Sequence, residues 1–375
     1  MSLPVPLSVL DLVPVSSGST AAQALRNTVD LARRAEEFGY HRYWVAEHHL
    51  NPGVAGTSPA LVISLVAAAT ERIRVGSGAV QLGHHTPLSV VEQFGLVEAL
   101  HPGRIDLGLG RSGAPRGLPK AAPTGPAEGT YTENGLYIPP RFTGFAKLLG
   151  SPLFKLFQGL LQQPGAQTPP YAEQIDAILD LLAGTYRSAD GLAPRVVPGE
   201  GAGLDVWILG SSGGESAEVA GERGLPFAAN YHVSPGTVLE AVEGYRRAFK
   251  PSAALAEPRV LVSADAVVAP DDETAHRLAA GYGPWVRSIR SGEGAIAFPT
   301  PEEAAAHIWT EEDRALVADR LGTQFVGSPE TVAERLAVLR DATGADELLV
   351  TTITHGHEDR VRSYELLARA WAKQG

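Results

Sequence analysis

The chain has 375 residues, 44% of them hydrophobic, which suits a (β/α)8 barrel with insertions, a fold of about 200 to more than 400 residues. It contains no cysteine, so disulfides, thiolate metal sites and a cysteine nucleophile are excluded. The formal charge is −11 and no dense basic run is present, so a nucleic-acid partner is not expected. Residues 1–6 show no leader pattern, and no apolar stretch is long enough to span a membrane. We therefore expect a soluble cytoplasmic protein with no membrane partner.

Short apolar runs alternate with helical patterns along the chain, which predicts an α/β fold with a parallel sheet. Most of the runs are continuously apolar, as is typical of strands covered on both faces. Eight runs are present, the number that a closed barrel needs, and we therefore predict a TIM (β/α)8 barrel that forms one domain over residues 1–375. The predicted strands are Leu7–Leu12, Arg42–Ala46, Ile73–Val80, Arg104–Leu109, Val206–Leu209, Phe227–Asn230, Val260–Val268 and Glu347–Thr352.

The helices between these strands are predicted from their start and stop signals. A capping residue, Ser19 or Thr20, starts a first helix that stops before Gly39. The second and third helices, residues 58–70 and 87–100, are rich in Ala, Val and Leu, which fits either packing on the barrel or a subunit contact. Proline in the first helical turn marks several starts. These starts are Ser58-Pro59, Pro87 and Ser328-Pro329, and a final helix is predicted at about Asp359–Trp371.

Residues 113–170 interrupt the alternation and are predicted to be a long insertion after the fourth strand. They contain no clear strand, and proline and glycine are frequent; such a segment is usually functional or disordered. Pro152 divides its apolar part into two short amphipathic pieces. We expect these pieces to form a helical hairpin packed on the barrel, or else a lid over an apolar substrate site or a subunit contact. The apolar residues are Phe142, Phe145, Leu148, Leu149, Leu153, Phe154, Leu156, Phe157, Leu160 and Leu161.

The run Glu47-His48-His49 ends the second predicted strand, which is where TIM barrels keep catalytic groups. Paired imidazoles beside a carboxylate can act as general acid or base near neutral pH. They can also ligate a metal, but the further histidines at strand ends, His84-His85 or His355 and His357, do not make a convincing ligand set. A third interpretation is that these histidines only form hydrogen bonds at the barrel mouth.

Glycine-rich runs lie at three other strand ends. Gly76–Val80 in the third strand leaves room for a flat ring, and Gly110 with Arg111 ends the fourth, where the guanidinium can pair with a phosphate or carboxylate. After the fifth strand, Gly210–Ser216 precedes a helix whose N–H groups and serine hydroxyls can bind an anion. An ordinary glycine turn with a serine N-cap explains that last run equally well. Glu215 suits a phosphate site only if its side chain points outward.

Taken together and in order, these runs resemble the bacterial luciferase-like monooxygenase superfamily over nearly the whole chain. No single run is specific, whereas their ordered combination is. The matching runs are Trp44–His49, Arg74–Gly78, Gly103–Arg111, Leu209–Ser212, Gly224–Phe227, Val326–Glu330 and Gly344–Leu348.

The resemblance implies a TIM barrel that binds reduced FMN, or in some branches a deazaflavin, at its C-terminal mouth. By position, His48 matches the catalytic histidine of the luciferase α chain, with Glu47, His49 and Gly110 expected to shape the substrate pocket. The Gly78–Ala79 bond matches a non-proline cis peptide that lines the flavin ring in this family. The residues that match the flavin-phosphate site are Arg111, Ser211, Ser212, Gly213, Gly214 and Ser216.

The chain departs from luciferase at two of these positions. Gly110 stands where the luciferase α chain has a reactive cysteine, and Ser212 stands where it has an acidic residue. Light emission is therefore not implied. The insertion is long for the family, so the resemblance does not extend to the substrate.

The first functional hypothesis is a two-component monooxygenase, in which a separate flavin reductase supplies reduced FMN and O2 oxidises a small, hydrophobic substrate. His48 would donate or accept a proton, Arg111 and the serine turn would hold the phosphate, and the insertion would keep water away. One alternative is hydride transfer with a reduced deazaflavin, and another is flavin binding without catalysis. No metal is expected. Because the second and third helices correspond to the family's dimer face, a homodimer is expected.

Overall fold

The computed structural model describes residues 4–111, 128–144 and 152–374, and its centre is a closed barrel of eight parallel strands. Each strand pairs with the next one along the chain, and the last strand pairs with the first. The predicted TIM barrel and its eight strands are therefore confirmed. The strands are β1 Leu7–Asp11, β2 Arg42–Val45, β3 Arg74–Ser77, β4 Ile105–Gly110, β5 Asp205–Gly210, β6 Phe227–Asn230, β7 Val260–Val268 and β8 Glu347–Thr351.

The third predicted strand, Ile73–Val80, is divided in two. β3 ends at Ser77, and the chain pairs with β4 again only at Val80–Gln81. The Gly78–Ala79 peptide bond between the two parts is cis, as the resemblance implies. The Gly78 N–H still donates to the Val45 carbonyl at 2.9 Å, so the divided strand remains part of the barrel wall.

Helices follow the strands around the outside of the barrel and at its mouth. The described helices are α1 Ala21–Phe38, α2 Pro59–Ala69, α3 Pro87–Leu100, α4 Pro152–Leu161, α5 Tyr171–Ala183, α6 Glu215–Glu222, α7 Val238–Ala248, α8 Asp272–Ala279, α9 Tyr282–Ser291, α10 Pro301–Ala305, α11 Glu311–Thr323, α12 Pro329–Thr343 and α13 His357–Trp371. Thr20 caps α1 by accepting from the Gln23 amide, and Gly39 ends it with a φ of 86°. Among the described residues, no helix has the length and apolar character needed to cross a bilayer.

The inward-facing side chains at the N-terminal end of the barrel form ion pairs, which we call the base network. Arg42 lies 2.7 Å from Asp106 and 3.0 Å from Glu347. Arg74 pairs with the same Asp106 at 2.6 Å, and Arg259 with Glu347 at 3.4 Å. Because Arg42, Asp106 and Glu347 are buried, paired charges close this end of the barrel to water.

Two tryptophans fill the barrel above the base network. Trp44 and Trp207 meet edge to face with 5.4 Å between ring centroids, and Trp44 Nε1 donates to Asp106 at 2.8 Å. Gly76 makes room for this arrangement, because a Cβ there would lie 2.8 Å from Trp44 Nε1. The barrel interior is therefore packed, and a ligand site must lie at the C-terminal mouth.

Residues 269–324, which we call the cap, lie between β7 and α12 and contain α8 to α11, for which the sequence analysis made no prediction. Tyr282, Trp285 and Phe298 of the cap belong to one buried hydrophobic cluster with Leu10, an inward-facing residue of β1. After the cap, a short strand pairs in parallel with the far end of β7. The cap thus packs over the barrel interior and forms one wall of the mouth.

The expectation that residues 113–170 contain no strand is wrong. Thr130–Tyr131 and Tyr137–Ile138 pair as a short antiparallel hairpin. The second apolar piece forms α4, which begins at Pro152 as predicted. Phe145, Leu148 and Leu149 of the first piece lie outside the described residues.

The insertion contacts two separate parts of the mouth. On one side, the Tyr137 carbonyl accepts from the Tyr231 hydroxyl at 2.6 Å, just after β6. On the other side, Gln162, directly after α4, donates its side-chain amide to the Gly83 carbonyl at 2.7 Å, on the loop between β3 and α3. The insertion therefore reaches both the β6 end and the β3 end of the mouth.

Candidate active site

Glu47 lies directly after β2 and organises the polar side chains on its side of the mouth. Its carboxylate accepts hydrogen bonds from His49 Nε2 at 2.7 Å, His85 Nε2 at 2.9 Å and the Gln81 backbone N–H at 2.8 Å. Burial opposes ionisation, but these hydrogen bonds prevail and lower the pKa of Glu47 to about 2. Glu47 is therefore ionised at neutral pH, and both imidazoles present an Nε2–H to it.

His48, the predicted catalytic residue, does not share these hydrogen bonds. Its backbone N–H donates to the Gly56 carbonyl at 2.8 Å, whereas its Nδ1 is buried without a hydrogen-bond partner among the described residues. Burial lowers the pKa of His48 to about 4, against the opposing charge of Glu47, so the ring is neutral at pH 7. A neutral imidazole can accept a proton, and it can donate one when a bound anion raises its pKa.

The histidines considered as further metal ligands separate into two groups. His84 belongs to the mouth, because its ring lies 5.7 Å from that of His49, and its buried Nδ1 lacks a hydrogen-bond partner within the described part of the chain. His355 instead bonds a backbone carbonyl of the loop after β1, and His357 bonds Asp30 of α1 at 2.8 Å. The structure therefore adds His84 and His85 to the Glu47 cluster, and it places His355 and His357 in other contacts.

Gly78, Ala79 and Gly110 form a stretch of barrel wall that has almost no side chains. A Cβ at Gly110 would lie 3.1 Å from Ala79 Cβ, and one at Gly78 would lie 2.8 Å from a methyl carbon of Leu10. Larger residues would displace these neighbours, so the present sequence allows a flat ligand to approach the backbone. Gln81 connects this wall to the Glu47 cluster through its side-chain amide, which donates to the Glu47 carbonyl at 2.5 Å.

Arg111 and the turn before α6 lie together, as the resemblance implies. Arg111 Nη1 bonds Glu215 Oε2 at 2.5 Å, and the two side chains are 46% and 42% exposed. The Glu215 side chain, which did not suit a phosphate site in the sequence, is therefore the present partner of the guanidinium. Next to this pair, the buried Ser216 lies beside the Tyr171 side chain of α5, whose hydroxyl donates to the Leu109 carbonyl at 3.2 Å; no signal in the sequence pointed to Tyr171.

The rest of the turn is fixed by contacts with the segment after β6. The Ser211 carbonyl accepts from the Thr237 hydroxyl at 2.5 Å, and the Gly213 N–H donates to Glu240 Oε1 at 3.3 Å. Ser212 is partly exposed, and a Cβ at Gly214 would have no neighbour closer than 3.7 Å. The turn thus keeps open space beside Gly214, next to Arg111.

A further histidine, missed by the sequence analysis, lies across the mouth. His232 Nδ1 is 2.6 Å from Ser263 Oγ on β7. Burial, with the added effect of the neighbouring Arg320 and His48, lowers the pKa of His232 to about 3. Arg320 and His48 therefore both lie near His232. It follows β6 by two residues, so the rule that functional groups follow barrel strands offered a signal for it.

Three cap residues surround a buried carboxyl group on β7. Asp265 Oδ1 accepts from Gln324 Nε2 at 2.9 Å, and the Tyr282 hydroxyl lies beside the same carboxyl group. Arg320 Nε and Nη2 donate to the same hydroxyl at 3.1 and 2.7 Å. Burial raises the pKa of Asp265 to about 6, although Gln324 and Arg320 oppose this. We call these four residues the cap cluster.

The features of the mouth fit the shape and charge of a flat ring compound that carries a phosphate. The bare wall at Gly78 and Gly110 can face a flat ring, and the open turn beside Arg111 can face a phosphate. The Nδ1 atoms of His48 and His84 are polar groups that a ligand can satisfy. A cationic group and a helix N-terminus beside a wall with almost no side chains are the pattern expected for an anionic ring compound.

Residues 5–118 and 161–347 match the family model of the luciferase-like monooxygenases. Among curated proteins, the chain is 38% identical to the uncharacterized protein YvbT of Bacillus subtilis, with 97% of this chain and 96% of that protein covered. It is 32% identical to a luciferase-like monooxygenase of Escherichia coli, covering 96% and 95%. It is 30% identical to the N-acetyl-S-alkylcysteine monooxygenase of Bacillus subtilis, covering 97% of both chains.

Solved structures extend the comparison. Apo-MsnO8 is 31% identical with a TM-score of 0.77 and covers 98% of both chains. Two more distant structures share the fold. One is an FMN complex of the oxygenating constituent of 3,6-diketocamphane monooxygenase from Pseudomonas putida, which is 18% identical with a TM-score of 0.65 and covers 99% of both chains. The other is an F420-dependent secondary alcohol dehydrogenase, which is 13% identical with a TM-score of 0.60 and covers 98% of this chain and 99% of its own.

Proposed function

The chain belongs to the luciferase-like monooxygenase family, and from this premise we propose that it uses reduced FMN and O2 to oxidise a small organic substrate. The observation that carries the proposal is the combination found at one barrel mouth. A neutral His48 whose Nδ1 has no hydrogen-bond partner within the described ranges, a wall with almost no side chains at the cis Gly78–Ala79 bond, and Arg111 beside an open helix-start turn lie around the same opening.

Each part of the site has a separate task in this proposal. Reduced flavin supplies the electrons and the site of oxygen activation when it is bound. Arg111 and the turn from Ser211 to Ser216 hold its phosphate, and the wall at Gly78, Ala79 and Gly110 accepts its ring. His48 moves a proton at its Nδ1, and Glu47 positions His49 and His85 around the substrate.

Two of the relatives support a monooxygenase by name, the luciferase-like monooxygenase of Escherichia coli and the N-acetyl-S-alkylcysteine monooxygenase of Bacillus subtilis. The second candidate is hydride transfer with a reduced deazaflavin, because an F420-dependent dehydrogenase shares this fold. Both cofactors combine a tricyclic ring with a phosphate, so Arg111 and the bare wall serve either one.

An anaerobic titration separates these candidates. The purified protein is titrated with chemically reduced FMN and, in parallel, with reduced deazaflavin, and the loaded protein is then mixed with O2 while flavin absorbance is recorded. We expect tighter binding of FMN and a reoxidation rate that differs from that of free flavin. Tighter binding of the deazaflavin would favour hydride transfer, FMN binding without altered reoxidation would favour a non-catalytic carrier, and binding of neither would refute a flavin site.

In the monooxygenase candidate, a separate flavin reductase is the transient partner that supplies the reduced cofactor. Adding a flavin reductase, FMN and NADH to the protein should then sustain O2 consumption coupled to substrate oxidation. The His48→Ala variant is the matched control, because it should accept the same flavin without the same turnover.

We propose that the insertion is a lid, because its described parts, residues 128–144 and 152–170, contact both the β6 end and the β3 end of the mouth. Bound flavin should slow amide hydrogen exchange in residues 128–144 and 152–170. Exchange rates that do not change on FMN binding would exclude the lid.

We further propose a homodimer formed through α2 and α3. Helix faces that expose so many leucines usually contact another protein surface. Replacing Leu61 and Leu96 together by arginine should convert the dimer to a monomer in sedimentation measurements, and a monomeric wild type would refute the proposal. The leucines, exposed by 44% to 78%, are Leu61, Leu65, Leu88, Leu96 and Leu100.

A further inference from the structure

Four arginines of the described residues are buried, and one of them differs from the others. Arg42 pairs with Asp106 and Glu347, Arg360 with Asp11 at 2.7 Å, and Arg290 with Asp319. Arg320, which is 7% exposed, has no carboxylate within 4.0 Å among the described residues. The buried arginines are Arg42, Arg290, Arg320 and Arg360.

A buried guanidinium without a carboxylate partner is costly, because the loss of hydration is repaid only by a close opposite charge. The hydrogen bonds of Arg320 within the described residues go to one neutral acceptor, the Tyr282 hydroxyl. A guanidinium carries five N–H donors, so this single oxygen leaves part of its hydrogen-bonding capacity unused. The residue is therefore prepared for an acceptor that the chain itself does not supply.

Arg320 lies at the proposed active site and not on a remote surface. Its hydrogen-bond partner Tyr282 belongs to the buried cluster that contains Leu10 of β1. Arg320 also lowers the pKa of His232, and His232 bonds Ser263, two residues before Asp265 on β7. Asp265, a neighbour of Arg320, is on β7, which is the fourth strand from β3 in either direction around the barrel. A flavin ring on the wall at Gly78 and Ala79 would thus leave the Arg320 side of the mouth for the substrate.

We propose that Arg320, with Tyr282, binds a carboxylate group of the substrate, which makes the substrate a small organic acid. The inference rests on the proposed function, since the ligand is taken to be the substrate. A carboxylate matches the planar fork of an arginine through two parallel hydrogen bonds. The flavin phosphate has its own site at Arg111, beside β4 and β5, so it does not account for Arg320.

The alternative is that Arg320 only compensates the charge of Asp265 through the Tyr282 hydroxyl. The pKa of Asp265 is raised to about 6 by burial in spite of Arg320, whereas Asp11 has its pKa lowered where Arg360 contacts it directly. Burial raises the pKa of Asp106 as well, although Arg42 and Arg74 contact it directly, so the proposal rests on geometry: among the described residues, the buried Arg320 donates only to Tyr282.

Calorimetry with two probes of equal length tests the proposal. Hexanoate and hexanamide are titrated into the wild-type protein, with and without FMN, and into Arg320→Gln. We expect hexanoate to bind the wild type at least tenfold more tightly than hexanamide does, and Arg320→Gln to remove this difference. Arg314→Gln is the matched control, because Arg314 is an exposed arginine on the same helix, and it should keep the wild-type preference.

Thermal unfolding of the same variants separates binding from structure. Arg320→Gln should unfold at or above the wild-type temperature, because it removes a buried charge without leaving a directly paired carboxylate behind. Equal binding of hexanoate by wild type and Arg320→Gln would overturn the proposal. So would a lower unfolding temperature of Arg320→Gln that Asp265→Asn restores, since Arg320 would then be the counter-ion of Asp265.

The outcome is independent of the flavin test. If FMN binds and hexanoate binds no better than hexanamide, the acid subsite is wrong while the proposed function stands. If FMN does not bind and hexanoate still binds through Arg320, the flavin site is wrong while the anion subsite stands.

Discussion

The two ends of the barrel use charged residues in opposite ways. At the N-terminal end, the base network pairs every one of its buried charges at 2.6–3.4 Å. At the C-terminal mouth, within the part of the chain that the structure describes, the Nδ1 atoms of His48 and His84 lack hydrogen-bond partners and the buried Arg320 has no carboxylate within 4.0 Å. The base has its partners within the chain, whereas the mouth leaves positions for a ligand.

This difference indicates what each end is for. Partnered charges at the base stabilise the native barrel and hold Trp207, whose ring lies 4.9 Å from both the Arg42 and the Arg259 guanidinium carbons. Unpartnered groups at the mouth lower stability, and a protein keeps such groups where a bound molecule completes them. Substitutions at the base should therefore change the free energy of unfolding, and substitutions at the mouth should mainly change binding or turnover.

The largest effect is expected from Arg42→Met. This change removes the guanidinium that neutralises the buried carboxylates of Asp106 and Glu347. The loss should lower the free energy of unfolding by roughly 3–5 kcal/mol. Urea unfolding followed by tryptophan fluorescence measures this, since Trp44 and Trp207 lie beside the network. Arg34→Met removes an exposed pair with Asp30 and should change the value by less than about 0.5 kcal/mol. A small effect at Arg42 would remove the contrast between the two ends.

Glu47 is a buried carboxylate at the mouth that does have direct partners, and its effect should appear on acidification. Its pKa is lowered from 4.5 to about 2, so its contribution is present above pH 4.5 and is lost as the pH falls toward 2. The shift corresponds to roughly 3 kcal/mol. Unfolding curves of wild type and Glu47→Gln should therefore converge between pH 4.5 and 2. Glu311 is an exposed glutamate on α11, and the pH dependence of unfolding of Glu311→Gln should run parallel to that of the wild type. If the pH dependence of Glu47→Gln were also parallel to the wild type, the Glu47 carboxylate would not be stabilised by the hydrogen bonds described above.

The fold was largely predictable from the sequence because parallel barrel strands are buried on both faces and so appear as uninterrupted apolar runs. Val260–Val268 was predicted with its observed bounds for this reason. The break in β3 was not readable from its residues, because Gly76–Val80 continues an apolar pattern; only the resemblance indicated the cis bond there. Glu47, His48 and the Arg111 turn were found because they follow strands or precede a helix.

The residues that were missed depend on contacts between distant parts of the chain. Arginine is a residue type that usually lies on the protein surface, so the sequence suggested an exposed position for Arg320. Its burial follows from how the cap packs on β7. The pairing of Arg111 with Glu215 joins residues 104 positions apart, so the sequence showed only that Glu215 was ill suited to a phosphate. Hydrophobic periodicity shows which face of a helix or strand is buried, but it does not show which part of the chain packs against that face.

The role of His48 gives the next prediction in size. His48→Ala should lower turnover at least about tenfold, or about 1.4 kcal/mol in the barrier, because a positioned proton donor or acceptor is lost. The affinity for FMN and the free energy of unfolding should stay close to wild type, since Nδ1 forms no hydrogen bond with the described residues. Steady-state turnover and FMN titration check both parts. Unchanged turnover would assign proton transfer to another group, with His232 as one described candidate.

The smallest effect is expected from a change at Glu215. Its test distinguishes binding of the flavin phosphate from binding of the flavin ring. The Arg111–Glu215 pair is nearly half exposed, and such pairs contribute about 0–1 kcal/mol, so FMN must displace an interaction of this size to reach the guanidinium. Glu215→Gln should then tighten FMN binding by up to about fivefold. Riboflavin, which has the same ring without the phosphate, should bind wild type and variant equally. Tighter riboflavin binding in the variant would mean that Glu215 acts on the ring, and weaker FMN binding would mean that Glu215 helps to form the phosphate site by orienting Arg111.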